Sequence, residues 1–334
     1  MKRLNLYFNE YNLLMGKAAY LPLSSGLLHS YLETDPKLAD AVKVFPYLFH
    51  RDTPQRILEQ YREAPDVAAF SVSMWNESLS LEIAKTLKQR HPGVLIVFGG
   101  PQVPFQSNAY LTKHPFIDVA VRSEGELAFA AVLSRFLESR DFQGIPSVTY
   151  RHPNGSIVRV EASSPQVDDL DRFPSPYLTG KYDGLLRDHP EFSFQAIIET
   201  NRGCPFNCTF CYWGQGGLST KYRFFSMDRI RAQVEWIARN KIEYVFNADS
   251  NFGMLPRDMD IAVVLVETKK KFGFPQKFRS CYGKNSDEKI FRISKLLSES
   301  EMLKSVTLAR QSNDEQTLEN IGRKNIKLST FQSL

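Results

Sequence analysis

The stretch "NRGCPFNCTFCYWG", residues 201–214, places Cys204, Cys208 and Cys211 within eight positions of a 334-residue chain that contains only four cysteines. Three thiols on one short loop suit a soft metal centre. A structural zinc site would take four ligands, and Cys281, about 70 residues on, could supply the last. A three-cysteine iron–sulfur cluster instead leaves one iron without a protein ligand. The residues alone leave both readings open.

Around this stretch the chain reads as two alternating series of strands and helices. Before it come the apolar runs 3–8, 41–49, 66–74, 94–100 and 118–124. Leu79, Ile83, Ala84 and Leu87 recur at helical spacing after Asn76, and "HPG" (91–93) is a stop signal. Short strands alternating with helices predict right-handed crossovers and an α/β fold with a doubly wound parallel sheet. Ligands of such sheets bind beyond the carboxyl ends of the strands. There lie "SVSMWN" (71–76), "GGPQ" (99–102) and "SEGE" (123–126), where Gly99 and Gly100 permit a close approach or a tight turn. No G-x-G-x-x-G occurs, so a dinucleotide site is not supported.

The middle of the chain differs. Asn154-Gly155 between alternating runs is a hairpin signal, and "DDLDRFPSPYL" (168–178) reads as an extended connector. A second βα series follows, with strands near 194–200, 243–250, 277–283 and 305–312, suggesting a barrel with its site at the strand carboxyl ends. The expected organisation is a domain over 1–140, a hairpin and connector over 141–193, and a second domain over 194–334. Cys281, inside a strand pattern, is expected to be a small buried hydrophobe.

The net charge of +5 is spread along the chain, which argues against nucleic acid as a partner. No apolar run approaches 18 residues, so no membrane span is expected. Clustered thiols point to the cytoplasm, where they stay reduced.

The spacing C-x3-C-x2-C directly after a first barrel strand resembles the radical S-adenosylmethionine (SAM) enzymes. The resemblance implies a 4Fe–4S cluster on Cys204, Cys208 and Cys211, with SAM on the open iron, so the missing fourth cysteine is the SAM position. It also implies SAM contacts from Phe210, with Tyr212 extending the apolar wall, and from Asp249, Gln311 and Ser312 at later strand ends. The first domain is similar to the cobalamin-binding domain that precedes many radical SAM cores. Ser71, Ser73, Gly99, Gly100, Pro101 and Glu124 would then line the corrin site. The D-x-H-x-x-G motif that supplies a cobalt-ligating histidine in many cobalamin proteins is absent.

The implied function is cobalamin-dependent methyl transfer to an unactivated carbon, through a 5′-deoxyadenosyl radical. The alternatives are a radical cyclase, ring-contraction or methylthiolation enzyme, or a non-catalytic zinc-binding protein. The implied partners are a small-molecule or peptide substrate and an electron donor such as flavodoxin or ferredoxin. No catalytic side chain is singled out. Only four of the family's usual six barrel strands can be counted, so the core is expected to be incomplete and the chain truncated at its C-terminus.

Overall fold

A computed structural model describes residues 3–211, 213, 221–283, 288–306 and 311–323. The chain divides into two compact units, Met1–Pro165 with Phe173–Phe192, and Gln166–Arg172 with Ser193–Leu334.

The first unit is built on β1 (Leu4–Asn12), almost wholly buried along its length, as a strand covered on both faces must be. A turn closed by the Met15–Ala18 bridge leads to the short β2 (Ala18–Tyr20). Strands β3 (Val42–Val44), β4 (Leu48–His50), β5 (Val67–Ser71), β6 (Leu95–Gly99) and β7 (Val119–Val121) follow. Their order is β3-β1-β5-β6-β7, all parallel, with β4 also beside β1. The single apolar run 41–49 thus becomes two strands. Pro46, which has no N–H for a ladder, falls between them.

The Asn154-Gly155 signal is met by a hairpin of β8 (Val148–Arg151) and β9 (Ile157–Arg159), with Gly155 at φ +88°. The hairpin extends the first sheet, because β8 pairs antiparallel with β7. Helix Glu77–Arg90 buries Ile83, Ala84 and Leu87 in a core with Ile96, Phe70 and Phe98.

The second unit holds the parallel strands β10 (Ser193–Ile198), β13 (Tyr244–Phe252) and β14 (Lys277–Tyr282), with β13 in the middle. Two short strands, β11 (Asn201–Arg202) and β12 (Arg223–Phe224), pair antiparallel between β10 and the next helix. Helices Met227–Arg239, Pro256–Phe272 and Glu288–Glu299 alternate with the parallel strands. The Ser226 side chain caps the first, and Gly273 ends the second in a left-handed conformation. The heart of the expected fourth strand, 307–310, lies outside the described residues. Among the described residues, no helix is long and apolar enough to cross a membrane.

Cys281 departs from the expected buried position. It does lie in a strand, but it is exposed. Along β14, Phe278, Ser280 and Tyr282 take the buried face, which leaves Cys281 on the open face with Lys277 and Arg279.

The turn after β6 shows why two adjacent glycines differ. Val72 N donates to Gly99 O (2.7 Å) and Gln102 N to Val72 O (3.1 Å), pressing the loop against the end of β5. Gly100 has φ +104°, and a Cβ there would stand 2.6 Å from Val72 O. At Gly99 the nearest atom would be 3.7 Å away. Gly100→Ala should therefore destabilise the first unit by roughly 2–4 kcal/mol, whereas Gly99→Ala should stay within about 1 kcal/mol. Equal urea midpoints for the two variants would contradict this.

Candidate functional site

The cysteine loop rises from a built stem. Strand β10 ends at Ile198, Phe225 N donates to Thr200 O (3.1 Å), and Asn201 and Arg202 pair with Phe224 and Arg223. Arg202 is buried, forks onto Glu199 Oε2 at 3.1–3.2 Å, and lies over the Phe225 ring at 5.8 Å. Gly203 then turns at φ +107° into the cysteines. Cys204 and Cys208 are buried and Cys211 partly so, with Cys211 N donating to Cys208 O (3.1 Å).

The carboxyl end of β13 grips the start of this loop. The buried Asp249 carboxylate accepts from five donors: Thr200 N (2.8 Å) and Oγ1, Asn201 N (3.2 Å) and Nδ2 (2.9 Å), and Asn247 Nδ2 (3.1 Å). Next in sequence, Ser250 Oγ donates to Gly203 O (2.7 Å). Then Asn251 Nδ2 donates to Cys204 Sγ (3.2 Å). Three successive residues thus hold successive points along the loop. Burial raises the Asp249 carboxyl to about 6 against the lowering effect of its hydrogen bonds. Burial, and then the nearby Cys204 sulfur, push the Tyr222 hydroxyl up to about 12.

A second grip comes from the end of helix Glu315–Asn320. Thr209 N donates to Ile321 O (3.1 Å), and Arg323 Nη1 donates to Cys208 Sγ (3.4 Å). Asn251 and Arg323 therefore each give an N–H to a cysteine sulfur. Such donors stabilise thiolate ligands, and two buried thiols on one reduced loop fit an iron–sulfur centre chemically. Among the described residues, no three His, Cys, Asp or Glu side chains converge as a ready metal cage. The fit therefore rests on the donor set and its N–H partners, not on a preformed geometry.

The other expected SAM-side residues are less fully placed. Phe210 is 54% exposed, a wide surface for an aromatic ring. Tyr212 lies outside the described residues. Gln311 is exposed, and Ser312 Oγ accepts from Asp314 N (3.1 Å), in the segment leading to helix Glu315–Asn320. Asn251, in "FNADSNF" (246–252), stands with Asp249 among the polar residues that the resemblance places near SAM, but its contact with a cysteine sulfur is not legible from residue type, and nothing in the sequence marks Arg323.

In the first unit the expected corrin-side residues do share one edge. Ser71 and Gly99 are register partners at the ends of β5 and β6, followed by Ser73 on one loop and by Gly100 and Pro101 on the other. Asn76, read as a helix start, stands at the N-cap but reaches backward. Its Nδ2 donates to Ser71 O (3.0 Å) and its Oδ1 accepts from Ser73 N (2.8 Å), fixing the loop. Met74 and Trp75 are 82% and 43% exposed on that loop, an apolar outcrop at the carboxyl edge of the sheet. Glu124 stands at the N-cap of helix Gly125–Glu138, after the left-handed Ser123 at φ +60°.

Residues 39–133 match the B12 binding domain and residues 198–329 match the Radical SAM superfamily. The chain thus carries a B12 binding domain and a radical SAM domain, whose cofactors are cobalamin, SAM and a 4Fe–4S cluster. It is 39% identical over 319 residues to the cobalamin-dependent radical SAM methyltransferase TokK of Streptomyces tokunonensis. It is 37% identical over 318 residues to the 2-(S-pantetheinyl)-carbapenam-3-carboxylate methyltransferase of Streptantibioticus cattleyicolor. Each match covers 94% of this chain and 46% of the relative, so the chain spans about half the length of those proteins. The fold is similar to that of the cobalamin-dependent SAM radical enzyme OxsB, with a TM-score of 0.71 at 18% identity, covering 97% of this chain and 46% of that one. It is also similar to the radical SAM methyltransferase TsrM of Kitasatospora setae, with a TM-score of 0.68 at 19% identity, covering 97% and 63%.

The Asp249 latch makes a measurable demand. Replacement by Ala leaves the Thr200 and Asn201 amides without their acceptor in a buried place, which should cost about 2–4 kcal/mol in the chain without cofactors. Hydrogen exchange at those two amides should quicken more than at β10 itself. The raised carboxyl also sets a pH signature. The folded state binds this proton more tightly than the unfolded chain, whose Asp titrates near 4. Between about pH 4 and pH 6 this group's share of stability should fall as pH rises. The wild-type minus Asp249→Ala difference in unfolding free energy, measured across that range, should fall in the same direction. A flat difference would contradict the assignment.

Proposed function

We propose that the chain is the cobalamin-binding and radical SAM portion of a methyltransferase that acts on an unactivated carbon of a small molecule. The observation that carries this reading is the pairing, on one chain, of a parallel sheet edge within the B12 binding match with a cysteine loop, two of whose sulfurs meet N–H donors from β13 and from Arg323. Support for the reaction class comes from the two methyltransferases at 39% and 37% identity. When bound, the cofactors supply one-electron cleavage of SAM and a transferable methyl group.

The chain's own residues then have separable tasks. Cys204, Cys208 and Cys211 would hold the iron, Asn251 and Arg323 would orient two of those sulfurs, and Asp249 would fix the loop rather than touch SAM. Its carboxylate is already taken up by Thr200, Asn201 and Asn247. The exposed Phe210 ring would cover the SAM adenine, with Tyr212, Gln311 and Ser312 beside it. In the first unit, Ser71, Ser73, Gly99, Pro101 and Glu124 would line the corrin, while Gly100 shapes the turn that presents them. Met74 and Trp75 would cover part of its apolar surface.

A thiol-rich redox site of this kind belongs in the cytoplasm, served by a flavodoxin- or ferredoxin-type electron donor. For substrate, a carbapenam-3-carboxylate bearing a thioether is the first compound to assay, because one relative is named for that activity.

Reconstitution without oxygen, with iron and sulfide, tests the ligand set. Cys208→Ala should lose most of the iron, whereas Cys281→Ala, on the open face of β14, should keep it. In the whole protein, each methylated product should be accompanied by about one S-adenosylhomocysteine and about one 5′-deoxyadenosine. Turnover without cobalamin and without S-adenosylhomocysteine would replace methyl transfer by a cyclisation or rearrangement.

A further inference from the structure

Helix Glu315–Asn320 ends in a device that the ligand set does not require. Gly322 turns at φ +63°, and a Cβ there would stand 3.1 Å from the Asn207 carbonyl oxygen. With Thr209 N bonded to Ile321 O, this turn seats the chain directly on the cysteine loop. It delivers Arg323, only 5% exposed, with Nη1 3.4 Å from Cys208 Sγ and the guanidinium 5.6 Å from the Phe206 ring centre. Among the described residues, Arg323 Nε and Nη2 are buried with no hydrogen-bond partner.

A guanidinium does not escape the cost of burial by losing its proton, since it stays charged at any physiological pH. Buried cations persist where an anion meets them. Here the facing group is a cysteine sulfur, which as a metal ligand is a thiolate. An iron–sulfur centre on three thiolates gains one more negative charge on reduction. A fixed cation and N–H donors at its sulfurs favour that reduced state.

We propose that Arg323 is a redox-positioning residue: the built-in counter-charge of the iron–sulfur centre, holding Cys208 with one N–H and keeping its remaining donors for the centre's sulfurs, so that the centre is easier to reduce. The proposal rests on the reading of Cys204, Cys208 and Cys211 as the cluster ligands.

The 334-residue chain and its Arg323→Gln and Arg323→Lys variants are reconstituted without oxygen, and iron, sulfide and far-ultraviolet circular dichroism are compared. Reduction is then followed by electron paramagnetic resonance in mediated titrations without SAM. All three proteins should hold equal iron. At the potential where the wild-type centre is half reduced, the reduced-to-oxidised ratio should fall about tenfold in Arg323→Gln, equivalent to about 59 mV for one electron. Arg323→Lys, which keeps the charge but loses the planar fork, should fall between. Equal potentials at equal iron would overturn the proposal, even if SAM affinity changed. Loss of iron from both variants with unchanged circular dichroism would also overturn it, making Arg323 an assembly residue. A wild-type chain that takes up no iron would instead sink the cysteine reading itself, before any variant is compared.

Discussion

The buried carboxylate of Asp249 is the point from which the second unit's site is built. A loop that must present three sulfurs has to bury some of its own backbone, and each buried N–H needs an acceptor. Asp249 supplies that acceptor for Thr200 and Asn201, at the exact place where β10 stops being a strand and the cysteine stem begins. Ser250 and Asn251 extend the grip to Gly203 and Cys204. A regular strand could not do this, because alternate side chains point to opposite faces. In strand β13 these residues lie where the register with β14 shifts, between Asn247 and Phe252. Such irregularities re-aim side chains next to functional sites.

Charge is divided unevenly around the loop. The Asp249 carboxylate is met by neutral donors, and its burial is reflected in a carboxyl raised to about 6. Arg202, by contrast, is paired with Glu199 at the stem. Arg323 faces sulfur. Each ionisable group is thus answered by a different partner. The stem of the loop is held by neutral donors on a carboxylate and by the Arg202–Glu199 ion pair, apart from the cation at Cys208. That arrangement separates holding the loop in place from balancing the charge of whatever the sulfurs bind.

Much of this was legible in the sequence, for identifiable reasons. The parallel strands announced themselves as apolar runs, and Asn154-Gly155 as a hairpin, because those signals are local. The cysteine spacing was legible because few chemistries need three thiols on one loop. What escaped depends on tertiary neighbours. The run 41–49 looked continuous, although Pro46 divides it. Cys281 looked like core until the alternation of β14 put its neighbours inward. Asp249 was read as facing a cofactor, whereas its five donors come from 200, 201 and 247. Nothing in "ENIGRKN" distinguishes an ordinary helix end from one that buries Arg323 against a sulfur 115 residues earlier.

The same distinction between holding and binding governs the first unit. Gly100 invites the reading that a glycine lets a ligand approach, but the atoms that exclude a side chain there belong to Val72. Asn76 likewise ties Ser71 to Ser73 instead of capping its helix. The two loops beyond β5 and β6 are joined by their own backbone hydrogen bonds, so this edge is held together by groups of the chain itself. Changes at Gly100 and Asn76 therefore report on the scaffold. Changes at the Ser71 and Ser73 side chains, or at the exposed Met74 and Trp75, leave those backbone ties in place. Weakened cobalamin binding there, at unchanged stability, speaks for a contact surface. The same loss in a Gly100 variant says only that the turn has moved.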